Sequence, residues 1–228
     1  MSLWFEVLPD PERSAACILR VFGDIGLDAT ADDCIRALAP FSEVALAVDS
    51  AGGDCTAAFA LAASLLGRCP LAVVSARCFS SAGLIALAAD RRVASRSAKF
   101  LVHRVSSAAY GDDRELSAIV TRLIGLNEVV SGYIVERTGQ SSETVARWLE
   151  GDTYFTAEEA LAAGIVHELI DDPAPVAMTA VAGGAQVETE EAMTLMKILN
   201  TLGSVPCRNP DRVRRELQIW ASRSLSRA

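Results

Sequence analysis

Apolar runs and amphipathic stretches alternate along most of the chain, and the alternation predicts its elements. CILRVFG (17–23) is rich in strand formers. Thr30 is placed to cap a helix at ADDCIRALA (31–39), and Pro40 follows it. EVALAVDS (43–50) is a nearly unbroken apolar run of the buried-strand type. A helix over about 55–68 comes next, then LAVVSA (71–76) as a strand. CFSSAGLIALAAD (78–90) then sets two adjacent serines at the head of an apolar helix. AKFLVHRV (98–105) predicts a short strand ending near His103. Residues 112–137 form the longest helix, with Leu116, Ile119, Val120, Leu123, Ile124 and Val130 on one apolar stripe. A shorter helix opens near Ser142, with Glu143 and Thr144 in its first turn. FTAEEALAAG (155–164) is a helix stopped by Gly164, and IVHELI (165–170) is a terminal strand. Strands alternating with helices in this way imply an α/β fold, a parallel sheet with helices packed against it.

Past residue 170 the pattern changes. DDPAPVAMTAVAGGAQV (171–187) is low in charge and rich in Ala, Gly and Pro, which marks a linker. Two helical patterns follow at about 188–202 and 210–222, with Leu195, Ile198, Leu199, Leu202 and Trp220 as their apolar positions. The expected organisation is a domain at 1–170, a linker at 171–187 and a helical C-terminal extension at 188–228.

Composition narrows the class. With 51% apolar and 22% charged residues the chain is globular. No uncharged apolar run approaches the ~20 residues of a membrane span. The opening MSLWFEVLPDPER lacks the basic-then-apolar order of a signal peptide, so a cytoplasmic protein with no membrane partner is expected. Six cysteines (17, 34, 55, 69, 78 and 207) lie far apart without a C-x-x-C, which reads as buried small hydrophobes or idle thiols rather than disulfides or metal ligands. The net charge of −8 argues against nucleic acid as a partner. That charge is uneven: from Arg208 onward six arginines outweigh Asp211 and Glu216, so the tail is basic and the body more acidic than the total. No G-x-x-x-x-G-K-[ST] motif is present, and no cofactor or metal is expected.

The serine pair gains meaning from what surrounds it. A serine nucleophile needs a base for its proton, a group to orient that base, and N–H donors aimed at the developing oxyanion. The chain has two histidines. His103 ends a predicted strand downstream of the serines, and His167 lies inside the last one. VDSAGGDCTAAF (48–59) adds a strand, Gly52-Gly53 and a helix, a turn where backbone can approach a ligand closely. Ser81-Ala82-Gly83 repeats that geometry. Two such turns from neighbouring parallel strands bring N–H donors to the sheet edge where α/β ligands sit.

These residues resemble the proteolytic subunit of the Clp protease and its phage head-maturation relatives. The likeness is carried by VDSAGGDCTAAFALAASLL, SSAGLIALAAD, AKFLVHRVSSAAYGDD and GDTYFTAEEALAAGIVHELI, in order over about residues 16–170. VFGDIG (21–26) resembles the phage-associated branch in particular. The resemblance implies the spiral ββα fold shared by Clp proteases and crotonases, and a serine endopeptidase acting through an acyl-enzyme. It implies Ser81 as nucleophile, His103 as general base and Asp152 as the group orienting the imidazole. Gly53 and Ala82 would supply the oxyanion-hole N–H groups. Ser81 is preferred to Ser80 because the oxyanion donor is commonly the N–H that follows the nucleophile, and Gly83 lets the helix start pack closely. The implied partners are a peptide or protein substrate, further copies of the chain in a ring with the 112–137 helix as a ring-to-ring contact, and an ATP-dependent unfoldase or phage capsid proteins. The chain departs from the family at Ala51, where a proline precedes the glycine pair. It departs again at the bulkier Arg77, Cys78 and Phe79 ahead of the serines, and in a slightly shorter run from the serines to His103. These departures bear on substrate preference and remove no catalytic group.

Two other readings share the pattern. CPLAVVSARCFSSAGLIALAADRRVASRSAKF (69–100) is also similar to the crotonases, acyl-CoA hydratases and isomerases with a two-N–H oxyanion hole. There carboxylates do the acid–base work and the serine position is usually glycine. A catalytically inert Clp-like scaffold is the third reading. Labelling of an active-site serine separates it from the enzymes, and acyl-CoA binding identifies a crotonase.

Overall fold

A computed structural model describes residues 4–171; the linker and helices expected at 171–228 lie outside the described residues except for Asp171. Eight strands and six helices alternate along this stretch. The strands are β1 (Phe5–Pro9), β2 (Ala16–Ile25), β3 (Glu43–Gly53), β4 (Leu71–Phe79), β5 (Arg91–Ser95), β6 (Lys99–Val102), β7 (Thr153–Thr156) and β8 (Glu168–Ile170). The helices are α1 (Ala31–Ala37), α2 (Cys55–Leu65), α3 (Ser81–Ala86), α4 (Asp113–Thr138), α5 (Ser142–Trp148) and α6 (Ala157–Ala162). The α/β expectation holds, with two additions to the parallel sheet: β1 runs antiparallel to β2, and β7 antiparallel to β6.

The sheet runs β1-β2-β3-β4-β5-β8, and β6 and β7 branch from β4. The branch exists because β4 changes partner along its length. Leu71–Val74 pair with Arg91–Ala94 of β5, whereas Arg77–Phe79 pair with Lys99–Leu101 of β6. Burial follows the change: Leu71 to Val74 are buried, and Ser75, Ala76 and Arg77 are exposed at the crossover. The far end of β4 is thereby lifted off the main sheet together with β6 and β7.

Three strands escape the apolar pattern for identifiable reasons. β1 and β7 are short, and β7 carries two threonines. β5 begins with Arg91 and Arg92, a pair that reads as surface. Arg92 is nevertheless 2% exposed. Its guanidinium donates to the carbonyls of Ala89, Arg137, Gly164 and Ile165, giving the buried charge the hydrogen bonds it needs. Arg137 treats the end of α3 similarly, donating to the carbonyls of Leu87 and Ala89. The two arginines tie α3, α4 and the β8 approach into one unit.

The expected apolar stripe of α4 divides in two. Leu126, Val130, Tyr133 and Ile134 enter the core, while Leu116, Val120 and Ile124 are exposed, Val120 at 55%. The helix is well terminated, by an Asp112–Glu115 capping box and by Gly139 at φ 74°. Its N-terminal half therefore stands as helix without a cover among the described residues. By length and composition α4 is also apolar enough to be compared with a membrane span. The five described cysteines are unpaired thiols, four of them buried. Burial pushes the Cys78 thiol up to about 12, in line with a packing role.

His167 belongs to this frame. Its Nδ1 accepts the Arg92 backbone N–H at 3.0 Å, while its own backbone N–H donates to the Arg92 carbonyl at 2.7 Å. Desolvation first, then the charges of Arg92, Arg137 and Arg91, push its pKa down from 6.5 to about 4. Between those values the unfolded chain binds the proton and the folded one does not. The contribution is thus present above pH 6.5 and is lost as pH falls toward 4. Melting temperature should drop over that interval, and less steeply in His167→Gln. Parallel curves for the two proteins would remove His167 as the source.

Candidate active site

The strand registers alone assemble a row of three residues. Phe79 of β4 pairs with Leu101 of β6, and Val102 of β6 pairs with Thr153 of β7. One step beyond these pairs lie Ser80, His103 and Asp152. The ladder continues into the site, since the Ser80 N–H donates to the Leu101 carbonyl at 2.8 Å. Ser80 Oγ is 2.7 Å from His103 Nε2, and His103 Nδ1 is 3.9 Å from Asp152 Oδ1. The first distance is a good hydrogen bond. The second is beyond direct hydrogen-bonding range, with Asp152 66% exposed. With the imidazole proton on Nδ1, the Ser80 hydroxyl donates to Nε2 and the N–H faces the carboxylate.

The hydroxyl that meets His103 is thus that of Ser80, one residue before the expected Ser81. Ser81 is 3% exposed, and its Oγ has no hydrogen-bond partner among the described residues. Backbone conformation decides the matter. Ser80 has φ 54° and ψ −125°, the one described non-glycine residue at positive φ. That conformation ends β4 abruptly and turns the Ser80 side chain toward β6 rather than into α3. Ser80 is the N-cap of α3, yet its hydroxyl makes no capping bond. A serine on a strained strand-to-helix turn, with its hydroxyl free to meet an imidazole, is the geometry of a nucleophile elbow.

The glycine pair is built around this turn. Gly52 has φ 100°, and a Cβ there would lie 2.8 Å from both Phe79 O and Ser80 Cβ. Gly53 has φ 145°, and its Cβ would meet Ile25 O and N. Neither position can carry a side chain without moving backbone. Ser50, fully buried, fixes the loop by accepting from the Gly52 N–H at 3.0 Å and donating to the Gly23 carbonyl at 2.7 Å. Gly53, Ser80 and Ser81 line one cavity of about 460 Å³ between α4 and the sheet, together with His103. Ala82, expected as a hydrogen-bond donor there, is wholly buried and lies outside the lining. The backbone N–H after the serine that meets His103 is that of Ser81, at the first turn of α3 where N–H groups have no intrahelical acceptor.

Asn127 is a site-supporting residue absent from the sequence-based candidates. It is 7% exposed on the buried side of α4. Its Oδ1 accepts from the Val105 N–H at 2.9 Å, and its Nδ2 donates to the Val105 and Leu123 carbonyls. It thereby pins the segment leaving His103 to α4. The signal for it is a lone amide between Leu123 and Val130 on an otherwise apolar stripe.

A sheet-edge serine bonded to an imidazole, beside glycine-lined backbone and a cavity, is an arrangement found in serine hydrolases. The Clp protease family model matches residues 33–173, more than half of the 228-residue chain, and the chain belongs to that family. Among solved structures, a point mutant of ClpP1 from Listeria monocytogenes superposes with a TM-score of 0.59 at 21% identity, covering 68% of this chain and 91% of that one. That likeness establishes the Clp-like fold.

The strain at Ser80 can be measured. Ser80→Ala and Ser80→Gly lose the same hydrogen bond, but only glycine relieves the positive φ. Ser80→Gly should be the more stable by about 1 kcal/mol, the strain relief being partly offset by glycine's chain entropy. Denaturant midpoints of the two variants check this, and equal midpoints would mean that the turn is unstrained.

Proposed function

We propose that the protein is a serine endopeptidase of the Clp proteolytic-subunit type, with Ser80 rather than Ser81 as nucleophile. The observation carrying this reading is the 2.7 Å contact of Ser80 Oγ and His103 Nε2 on a strained turn. His103 Nε2 takes the Ser80 proton as Oγ attacks the scissile carbonyl carbon. The resulting oxyanion faces the N–H groups of Gly53 and Ser81. His103 then passes the proton to the leaving amine, the C–N bond breaks, and an acyl-Ser80 remains. Water attacks that ester with His103 again as base, releasing the carboxylic acid and restoring the hydroxyl. Asp152 orients the imidazole and offsets its transient charge. Its exposure and 3.9 Å separation suit a contact that tightens once substrate excludes water.

Hydrolysis is favoured over crotonase chemistry by the cavity lining, where Asp54 is the one carboxylate among the described residues and its side chain caps α2 by accepting from the Ala57 N–H. A fluorophosphonate probe should label wild-type protein on Ser80. Ser80→Ala should abolish labelling and lower peptide hydrolysis by several orders of magnitude, as loss of a catalytic-unit member does. His103→Ala should be comparably damaging. Labelling that survives Ser80→Ala but not Ser81→Ala would return the role to Ser81. Absence of any labelling would favour the inert scaffold.

The same reading has copies of the chain assemble through α4 into a ring working in the cytoplasm, with an unfoldase or phage capsid proteins as partners. Its support is the apolar, exposed N-terminal half of α4. Val120→Lys and Ile124→Glu should each shift the protein to smaller species on sizing. Unchanged elution of both would exclude this face from assembly.

A further inference from the structure

Next to the row of Ser80, His103 and Asp152, the same three strands present a second row that the catalytic scheme leaves unused. Phe79 of β4 lies opposite Leu101 of β6, and Leu101 lies opposite Tyr154 of β7. Residues paired in this way project from one face of a sheet. The adjoining row, Cys78, Phe100 and Phe155, is buried on the core face. Phe79, Leu101 and Tyr154 therefore face outward, the first two half-buried and Tyr154 63% exposed. Two strand spacings, roughly 10 Å of backbone, separate Phe79 from Tyr154. Their ring centroids are nevertheless 6.2 Å apart with the planes at 89°, so the rings lean together over Leu101. The three side chains make one apolar ridge. Phe79 and Tyr154 do not line the cavity, so the ridge is a separate surface. Each of its members adjoins a different residue of the site. Phe79 precedes Ser80, Leu101 stands two residues before His103, and Tyr154 stands two residues after Asp152.

From this we infer that the ridge is the subsite for the substrate residue on the amine side of the cleaved bond, and that it selects a large apolar side chain there. The inference rests on the peptidase reading. In that chemistry the carbonyl oxygen is drawn to the N–H groups of Gly53 and Ser81, on the β3 and α3 side of Ser80. The departing nitrogen must instead come within hydrogen-bond reach of His103 Nε2, the atom 2.7 Å from Ser80 Oγ. The amine-side chain thus leaves across β6 and β7, where it meets the ridge. The two rings and Leu101 give an apolar side chain a surface on which both partners lose contact with water, the source of the preference. A glycine at that position has nothing to bury. An aspartate would surrender hydration on the ridge and would do so beside the Asp152 carboxylate. Phe79 and Tyr154 are then specificity-determining residues that take no part in proton transfer.

The test uses the full chain and internally quenched peptides that differ only in carrying phenylalanine, glycine or aspartate just after the cleaved bond. Each rate is divided by the same protein's rate on an ethyl ester of the shared acyl segment, whose leaving group is too small to reach the ridge. That ratio removes any effect on acylation common to all substrates. Wild type should cleave the phenylalanine peptide with a kcat/KM about tenfold or more above the other two. Tyr154→Ala and Phe79→Ala should each bring the three peptides to within about threefold of one another, and Tyr154→Phe should keep the wild-type order. Ester hydrolysis with all three peptides cleaved alike by wild type would overturn the assignment and leave the peptidase reading standing. A preference that survives both alanine variants would overturn it as well. A changed elution volume for Tyr154→Ala on sizing, with an unaltered peptide ranking, would give the ridge to a second copy of the chain instead. No turnover of ester or peptides would sink the peptidase reading, and this assignment with it.

Discussion

The change of partner along β4 is the constraint on which the site depends. A strand that stayed with β5 to its end would carry Ser80 into the main sheet, away from His103. Because Arg77–Phe79 pair with β6 instead, the hydrogen-bond ladder determines which residues meet. β7 closes the row from the other side in antiparallel register. Residues far apart in sequence reach one edge through main-chain hydrogen bonds, without needing a side-chain network to gather them. Such bonds hold the backbone positions firmly, because leaving buried N–H and C=O groups unpaired is costly. The side chains then need only the right rotamers.

The strained turn completes what the register begins. β4 directs Ser80 along the ladder, and φ 54° converts the next step into the start of α3. Gly52 is the counterpart of that turn, since the space a Cβ would need is taken by Phe79 O and Ser80 Cβ. The closeness that makes a side chain impossible at Gly52 also holds the Ser80 backbone in place. Strain of this kind persists where the surroundings over-determine it. Here the Leu101 hydrogen bond, the Gly52 backbone and the buried α3 all restrain one residue.

Much of this is legible in the sequence. The glycine pair, the serine pair, His103 and Asp152 stand out by residue type and order, and long apolar runs reveal β2, β3 and β4. Short strands with polar residues do not show, because β5 hides behind two arginines whose burial depends on distant carbonyls. The choice between two adjacent serines is also out of reach. It turns on one φ angle and on pairing with a strand about twenty residues away. On the proposed assignment the donor expected at Ala82 becomes Ser81, since that position is counted from the nucleophile. The α4 stripe is apolar as its periodicity predicts, but periodicity does not say whether the fold supplies a cover, and half of it has none among the described residues.

The two histidines show how environment assigns work to identical side chains. His167 is engaged with the Arg92 backbone and lies within the field of Arg92, Arg137 and Arg91, so adding a proton opposes both desolvation and like charge. Its pKa, pushed down to about 4, keeps it neutral through the range in which a peptidase operates, and its ring is committed to holding β8 to β5. It can hold structure but cannot readily accept a proton. His103 has different neighbours: a hydroxyl on one nitrogen and a carboxylate on the far side, beside the cavity. The same ring thus serves as an acceptor locked into the frame at one site, and on the proposed mechanism as a proton carrier at the other.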